Sequence, residues 1–139
     1  MLTVVKNKRG ESELEVLNKA RELAMYTIKI CSNEKNFPKR HRWSIINKIV
    51  NDAIDVHGNI RKANDIFVSL DIDYKLRREW QVRAMGCADE LLANMDIAYM
   101  LFNVNDNRID HWVGLVKDTK DLLRKWRDSD AKRYGHLID

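Results

Sequence analysis

Hydrophobic residues recur at intervals of three and four along most of this chain, which is the spacing of one face of an α-helix. The pattern predicts four helices, over residues 12–32, 40–67, 74–103 and 108–134. Four amphipathic helices with short loops predict an all-α fold, an up-down-up-down four-helix bundle. The positions predicted to face inward are Leu14, Leu17, Ala20, Ala24, Ile28 and Cys31 in the first helix, Ile46, Ile49, Ala53, Val56, Ile60 and Ala63 in the second, Leu76, Trp80, Ala84, Cys87, Leu91, Ala98 and Phe102 in the third, and Trp112, Leu115, Val116, Thr119, Leu122, Leu123 and Trp126 in the fourth.

Capping residues and the single proline mark the helix ends. Ser12 and Glu15 have the spacing of a capping box, and Pro38 suits a loop or the first turn of the second helix. Asp71 or Asp73 is expected to cap the third helix. We therefore predict one bundle domain over residues 12–135, with a flexible arm at 1–11 and a tail at 136–139.

The composition agrees with this division and limits the possible environments. The chain has 139 residues, of which 45% are hydrophobic and 33% charged, with one proline and five glycines, and such a mixture favours helices. Cys31 and Cys87 both fall among apolar neighbours, which favours buried free thiols over a disulfide or a metal site. No stretch has the length of a signal peptide or a membrane span, so we expect a cytoplasmic protein without a membrane partner.

A search for catalytic and metal-binding motifs gives no candidate, so we predict no enzyme activity, metal or cofactor. There is no glycine-rich phosphate loop and no serine nucleophile motif, and the histidines lack partners at metal-ligand spacing. The alternating asparagines after the third helix favour a plain turn over a calcium loop. Asp52 and Asp55 are most simply a solvated face.

Positive charge is the remaining signal, since the net charge is +4. Basic residues crowd the entrance of the second helix, the start of the third and one side of the fourth, where 117, 120, 124 and 127 repeat at helical spacing. Such a stripe suits a phosphate backbone, while a solvated face with ion pairs to nearby aspartates is the alternative. The candidate nucleic-acid or partner contacts are Lys39, Arg40, Arg42, Lys48, Arg77, Arg78, Lys117, Lys120, Arg124, Lys125 and Arg127.

Four tryptophans are many for so short a chain. Trp112 and Trp126 fit the core face of the fourth helix. Trp43 and Trp80 follow clusters of basic residues, and tryptophan together with arginine is enriched at protein interfaces. We therefore predict that these two, with Phe37 at the helix entrance, form a subunit interface.

The entrance of the second helix also carries a family resemblance. Phe37-Pro38-Lys39, followed by Arg42, by aliphatic Ile45, Ile46 and Ile49, and by the pair Ala63-Asn64, resembles the four-helix-bundle family of accessory variability determinant proteins from diversity-generating retroelements. The same family includes proteins encoded by insertions in 23S ribosomal RNA genes. The resemblance spans about residues 14–126, nearly the whole bundle.

The resemblance implies a homopentamer around a central channel that binds a reverse transcriptase and template RNA, and in this way supports mutagenic complementary-DNA synthesis. It implies no catalytic site. Our leading hypothesis is thus a non-enzymatic oligomeric accessory protein whose basic surfaces contact RNA, with the cDNA as a second candidate ligand. The alternative is a structural or protein-interaction bundle without a nucleic-acid role.

Overall fold

The computed structural model describes residues 11–138 of the chain, with side chains described from Glu15 onward. Within that part the chain is all-helical and contains no strand. This confirms the all-α fold class. The predicted arm and the side chain of Ser12 in the proposed capping box lie outside the described residues. The four long helices are α1 (Glu11–Cys31), α2 (Asn47–Asn64), α3 (Asp71–Leu101) and α4 (Asp106–Tyr134).

The entrance of α2 is not a simple extension of that helix, as the predicted range 40–67 assumed. Pro38 has φ −59° and ψ 135°, so its extended backbone ends the loop and leads into a 3-10 turn at Lys39–His41. A π-helical turn at Arg42–Ile46 follows before α2 begins. The wide turn brings two consecutive residues, Ile45 and Ile46, into the core, where they are 8% and 6% exposed.

Side-chain caps move the starts of α3 and α4 earlier than the predicted positions 74 and 108. The carboxylate of Asp73 accepts hydrogen bonds from the backbone N–H groups of Ser69 and Leu70, at 3.1 and 2.9 Å. The side chain of Asn105 accepts from the backbone N–H groups of the second and third residues of its helix. Both contacts satisfy amide groups that a helix start leaves without partners.

The helices form a closed ring of neighbours, in which each packs against the next and α4 packs against α1. The aromatic centre of the core is Trp112, whose indole Nε1 donates to the Thr27 hydroxyl of α1 at 2.9 Å. Trp112 and Trp126 are 0% and 1% exposed. Their predicted core positions are therefore confirmed. The described helices include none long and apolar enough to cross a membrane.

The predicted inward face of the second helical segment is confirmed most fully, since all six positions are buried, Ile46 in the π-helical turn and the other five in α2. Two predictions on other helices are wrong, because Ile28 and Leu76 are 43% and 44% exposed. Both cysteines are free thiols; Cys31 is buried and Cys87 half-buried. Burial raises the pKa of the Cys31 thiol to about 12.

Candidate anion-binding groove

A groove lies between the first turns of α3 and the last turns of α4, and three arginine side chains converge on it. We call it the arginine groove. Its volume of about 390 Å³ is typical of pockets that hold small ligands. The lining residues are Tyr74, Arg78, Arg124, Arg127, Asp128 and Ala131.

Helical spacing places these side chains on facing sides of two helices. Arg124 and Arg127 are three residues apart, so they share one face of α4. Arg78 lies one turn after Tyr74 on α3, and its guanidinium carbon is 5.7 Å from the centre of the buried tyrosine ring. This cation–π contact holds Arg78 at the wall of the groove. The groove therefore joins predicted basic residues that are far apart in the sequence.

The charges around the groove favour an anionic ligand. Arg127 is half-buried and makes no ion pair with any residue among 15–138. Arg124 donates to Asp121 at 2.8 Å, but both side chains are exposed, so the pair is weak. Asp128 is the one carboxylate in the lining, against three guanidinium groups. Guanidinium groups match the oxygens of a phosphate with paired N–H donors, so phosphate is the ligand that this lining suits best.

A buried ion pair joins the two helices beside the groove. The Arg77 guanidinium donates from Nε to Asp130 Oδ2 at 2.7 Å and from Nη2 to Oδ1 at 3.0 Å. Gln81 Nε2 also donates to Asp130, at 2.8 Å, and Arg77 Nη1 donates to the Ile66 carbonyl at 3.3 Å. The guanidinium carbon lies 4.9 Å from the centre of the Trp126 ring. Arg78 directly follows Arg77 in α3. The ion pair of Arg77 with Asp130 therefore fixes the orientation of α3 in which Arg78 faces α4.

Two predicted contact residues are corrected by their burial. Arg77 is 0% exposed and bound to Asp130, so the prediction that it contacts a partner is wrong. Phe37 was assigned to a subunit interface, but it is 1% exposed. Its ring packs edge-on against Phe102 and Trp112, with centroids 5.7 and 6.0 Å apart. Phe37 is a core residue that closes one end of the helices.

The second basic cluster consists of Lys39, Arg40 and Arg42, at the entrance of α2. All three side chains are exposed. Lys39 Nζ is 3.2 Å from a carboxylate oxygen of Glu34, while Arg40 Nε donates to the neighbouring His41 ring nitrogen at 3.2 Å. This cluster lies at the end of the molecule opposite the arginine groove, because His41 contacts Phe102 at the end of α3.

Lys48 follows that cluster but is held between α2 and α3. Its Nζ is 2.8 Å from Glu90 and 3.3 Å from Asp52, and hydrogen bonds to these carboxylates raise the pKa of Lys48. Asp52 is 2% exposed and accepts from Asn94 at 2.8 Å, so its assignment to a solvated face is wrong. Burial raises the pKa of Asp52 despite the nearby lysine. Lys48 is thus part of the packing of α2 against α3.

The three lysines of α4 among the predicted contact residues do not line the groove. Lys117 and Lys125 are exposed. Lys120 is largely covered, with 17% of its side chain exposed, and pairs with Asp89 of α3. The predicted stripe is therefore divided, since its last two members line the groove and Lys120 joins two helices.

The two tryptophans assigned to an interface differ in exposure. Trp43 is 88% exposed. Trp80 is half-buried under two cations, with Lys62 Nζ 4.5 Å and the Arg83 guanidinium carbon 5.0 Å from its ring centre. Only Trp43 presents a bare ring among the tryptophans, all of which lie in the described part of the chain.

Sequence reasoning missed three residues of this region, Tyr74, Gln81 and Asp130. A signal was present on α3, because 74, 77, 81, 84 and 88 follow helical spacing and share the buried face. Two of those positions are polar, so the apolar pattern did not select that face.

Comparison of the chain with protein-family models, with curated proteins and with solved structures finds no match. Within residues 15–138, no three histidine, cysteine, aspartate or glutamate side chains converge in a way that could hold a metal ion. The function is therefore argued from the residues and their geometry.

Proposed function

We propose that this protein is a non-enzymatic accessory factor that binds RNA through basic surfaces and acts with the reverse transcriptase of a diversity-generating retroelement. The observation that carries the RNA-binding part is the arginine groove, where Arg78 of α3 meets Arg124 and Arg127 of α4. Three guanidinium groups around one cavity give a phosphate more favourable partners than isolated surface lysines do.

The identity of the protein partner follows from the resemblance at the α2 entrance, which implies a reverse transcriptase and its template RNA. The same resemblance supports a cytoplasmic homo-oligomer, a pentamer in that family. Large exposed apolar side chains are available for subunit contacts, among them Met100 and Leu101 at 76% and 65% exposure. An up-down-up-down arrangement is supported by the contacts of Arg77 with Asp130 and of Asp89 with Lys120, which run in opposite chain directions.

A structural or protein-interaction role without nucleic acid is the second candidate, and the ion pairs favour it. Lys39, Lys48 and Lys120 each contact a carboxylate of the same chain. Basic side chains neutralised in this way have less charge to offer a phosphate. The two candidates differ in whether the arginine groove binds RNA.

The test is a pair of charge reversals with a matched control. R124E/R127E changes two groove residues, while R21E/K29E makes the same change in net charge on exposed residues of α1. Binding of a single-stranded RNA is measured over a range of salt concentrations. If the groove holds two phosphates, R124E/R127E lowers the slope of log affinity against log salt by about 1.4, at roughly 0.7 per contact.

The control variant separates a specific groove from general attraction. We expect R21E/K29E to bind RNA almost as the unmodified protein does. Equal losses in the two variants, or undiminished binding by R124E/R127E, would contradict the groove as the RNA site. Recovery of a reverse transcriptase with the tagged protein from its source cell tests the partner, and recovery of the bundle alone favours the structural role.

A further inference from the structure

Trp43 is placed on the surface by an unusual backbone segment. It is the second residue of the π-helical turn Arg42–Ile46, and π-helical turns are frequent at functional sites. Ile45 and Ile46, two and three residues after Trp43, are buried and anchor the turn to the core. The Trp43 ring, in contrast, is 88% exposed. The ring is therefore held on a fixed base and almost completely accessible from solvent.

The residues about one turn before and after Trp43 are polar or basic. They are Lys39 and Arg40 on one side and Asn47 and Lys48 on the other. No acidic residue occurs in the sequence between Glu34 and Asp52. The exposed indole is thus flanked along the chain by polar and positively charged residues.

The nearby carboxylates neutralise only part of this charge. Glu34 pairs with Lys39, while Asp52 and Glu90 pair with Lys48. Arg40 contacts the His41 ring, and Arg42 makes no ion pair with a described residue. Arg40 and Arg42, three residues and one residue before Trp43, therefore keep their positive charge available.

We propose that Trp43 is a stacking platform for an unpaired nucleobase and that Arg40 and Arg42 bind the adjoining phosphates. The ligand class is single-stranded nucleic acid, because a base within a duplex has no free face to offer an aromatic ring. This rests on the proposed function, whose RNA it specifies as single-stranded, but it concerns a surface separate from the arginine groove.

A protein partner fits this surrounding less well than a nucleic acid does. Tryptophan anchors of protein interfaces are enclosed by contacts that exclude water. Such enclosure at Trp43 would remove Arg40 and Arg42 from water, and each would then need a carboxylate from the partner. A nucleotide supplies an apolar ring and an adjacent anion together, which matches an exposed indole preceded in the chain by two arginines.

The intrinsic fluorescence of the protein gives a direct test. Trp112 and Trp126 are buried and Trp80 is covered by two cations, so a base stacked on Trp43 changes the emission of the one accessible indole. The probes are oligouridylate RNA, an RNA duplex of equal length, and polyphosphate, which has charge but no bases. We expect quenching by oligouridylate alone, and no such quenching in W43F.

Affinity supplies the second measurement. W43A should bind oligouridylate about tenfold more weakly, the loss expected for one stacked base, and polyphosphate as before. Because the ring is exposed, the variant should keep the thermal midpoint of the unmodified protein. An R40Q/R42Q variant should weaken the binding of oligouridylate and of polyphosphate alike.

The possible failures are distinguishable. If W43A binds oligouridylate normally while R124E/R127E does not, the stacking site is wrong and the proposed function stands. If the unmodified protein binds neither RNA nor polyphosphate, the proposed function fails and the stacking site with it. A change of oligomer mass in W43A, with RNA binding unaffected, would assign Trp43 to a protein interface and overturn the proposal.

Discussion

The buried pair of Arg77 and Asp130 gives the sharpest prediction for stability. The side chains are 0% and 1% exposed, and two hydrogen bonds of 2.7 and 3.0 Å join them. D130N preserves the shape of the carboxylate but removes its charge, so the buried ion pair of Arg77 with Asp130 is broken. Breaking a buried pair in this way costs about 3–5 kcal/mol.

The expected change in the thermal midpoint follows from the length of the chain. Unfolding entropy of about 2.1 cal/mol/K per residue over 139 residues gives about 0.29 kcal/mol/K, so D130N lowers the midpoint by about 10–17 °C. The control is E79Q, which breaks the exposed pair of Glu79 and Arg83. That pair is worth about 0.2–1 kcal/mol, so its loss lowers the midpoint by no more than about 3 °C.

A double-mutant cycle separates the interaction from the size of the side chains. R77M and D130M each remove one partner of the buried ion pair, whereas R77M/D130M removes both. We therefore expect the double variant to be more stable than the sum of the single losses predicts. Thermal unfolding followed by circular dichroism measures all four proteins. Additive losses, or a D130N midpoint within about 3 °C of the unmodified protein, would refute the assigned role.

Two further predictions concern helix α2 and the start of α3. G58A should raise the free energy of unfolding by about 0.5–1 kcal/mol in thermal melts, because an added Cβ at this mid-helix position meets no atom within 4 Å. An unchanged or lower midpoint would show that position 58 has no room for a methyl group. D73N should lower the thermal midpoint at neutral pH, since backbone hydrogen bonds from Leu70 and Ser69 lower the pKa of the Asp73 carboxyl below 3.8. This contribution is complete above that ordinary value and is lost as the pH falls through the lowered pKa, so the midpoints of D73N and the unmodified protein should converge in strong acid.

The sequence was a good guide to the fold where one helix face was wholly apolar. All five predicted inward positions on α2, and Ile46 in the turn before it, are buried. On α3 the first two predicted positions, Leu76 and Trp80, are exposed and half-buried, while Arg77 and Gln81 occupy the core. Hydrophobic spacing selects the face with the most apolar residues, and it cannot detect a core face whose polar members bind a distant aspartate.

The candidate site was predictable only as a set of charges. Arg78, Arg124 and Arg127 were selected with eight other basic residues, and nothing local distinguishes these three from Lys120 or Lys48. The distinction depends on which carboxylate each cation meets after folding, and those contacts join residues tens of positions apart. Ion pairs between helices therefore decide which basic residues remain available to a ligand.

Arg77 and Arg78 show how one residue step separates stability from ligand contact. The two side chains leave α3 about 100° apart, so Arg77 points into the core and Arg78 towards the arginine groove. Asp130 holds Arg77, and Arg127 lies one turn earlier on the same helix. The buried pair thereby fixes the distance between the arginines that line the groove. D130N should consequently weaken RNA binding at temperatures where the protein is still folded, whereas E79Q, which disturbs an exposed pair on α3, should not. Unchanged RNA affinity in folded D130N would show that the groove keeps its geometry without the buried pair.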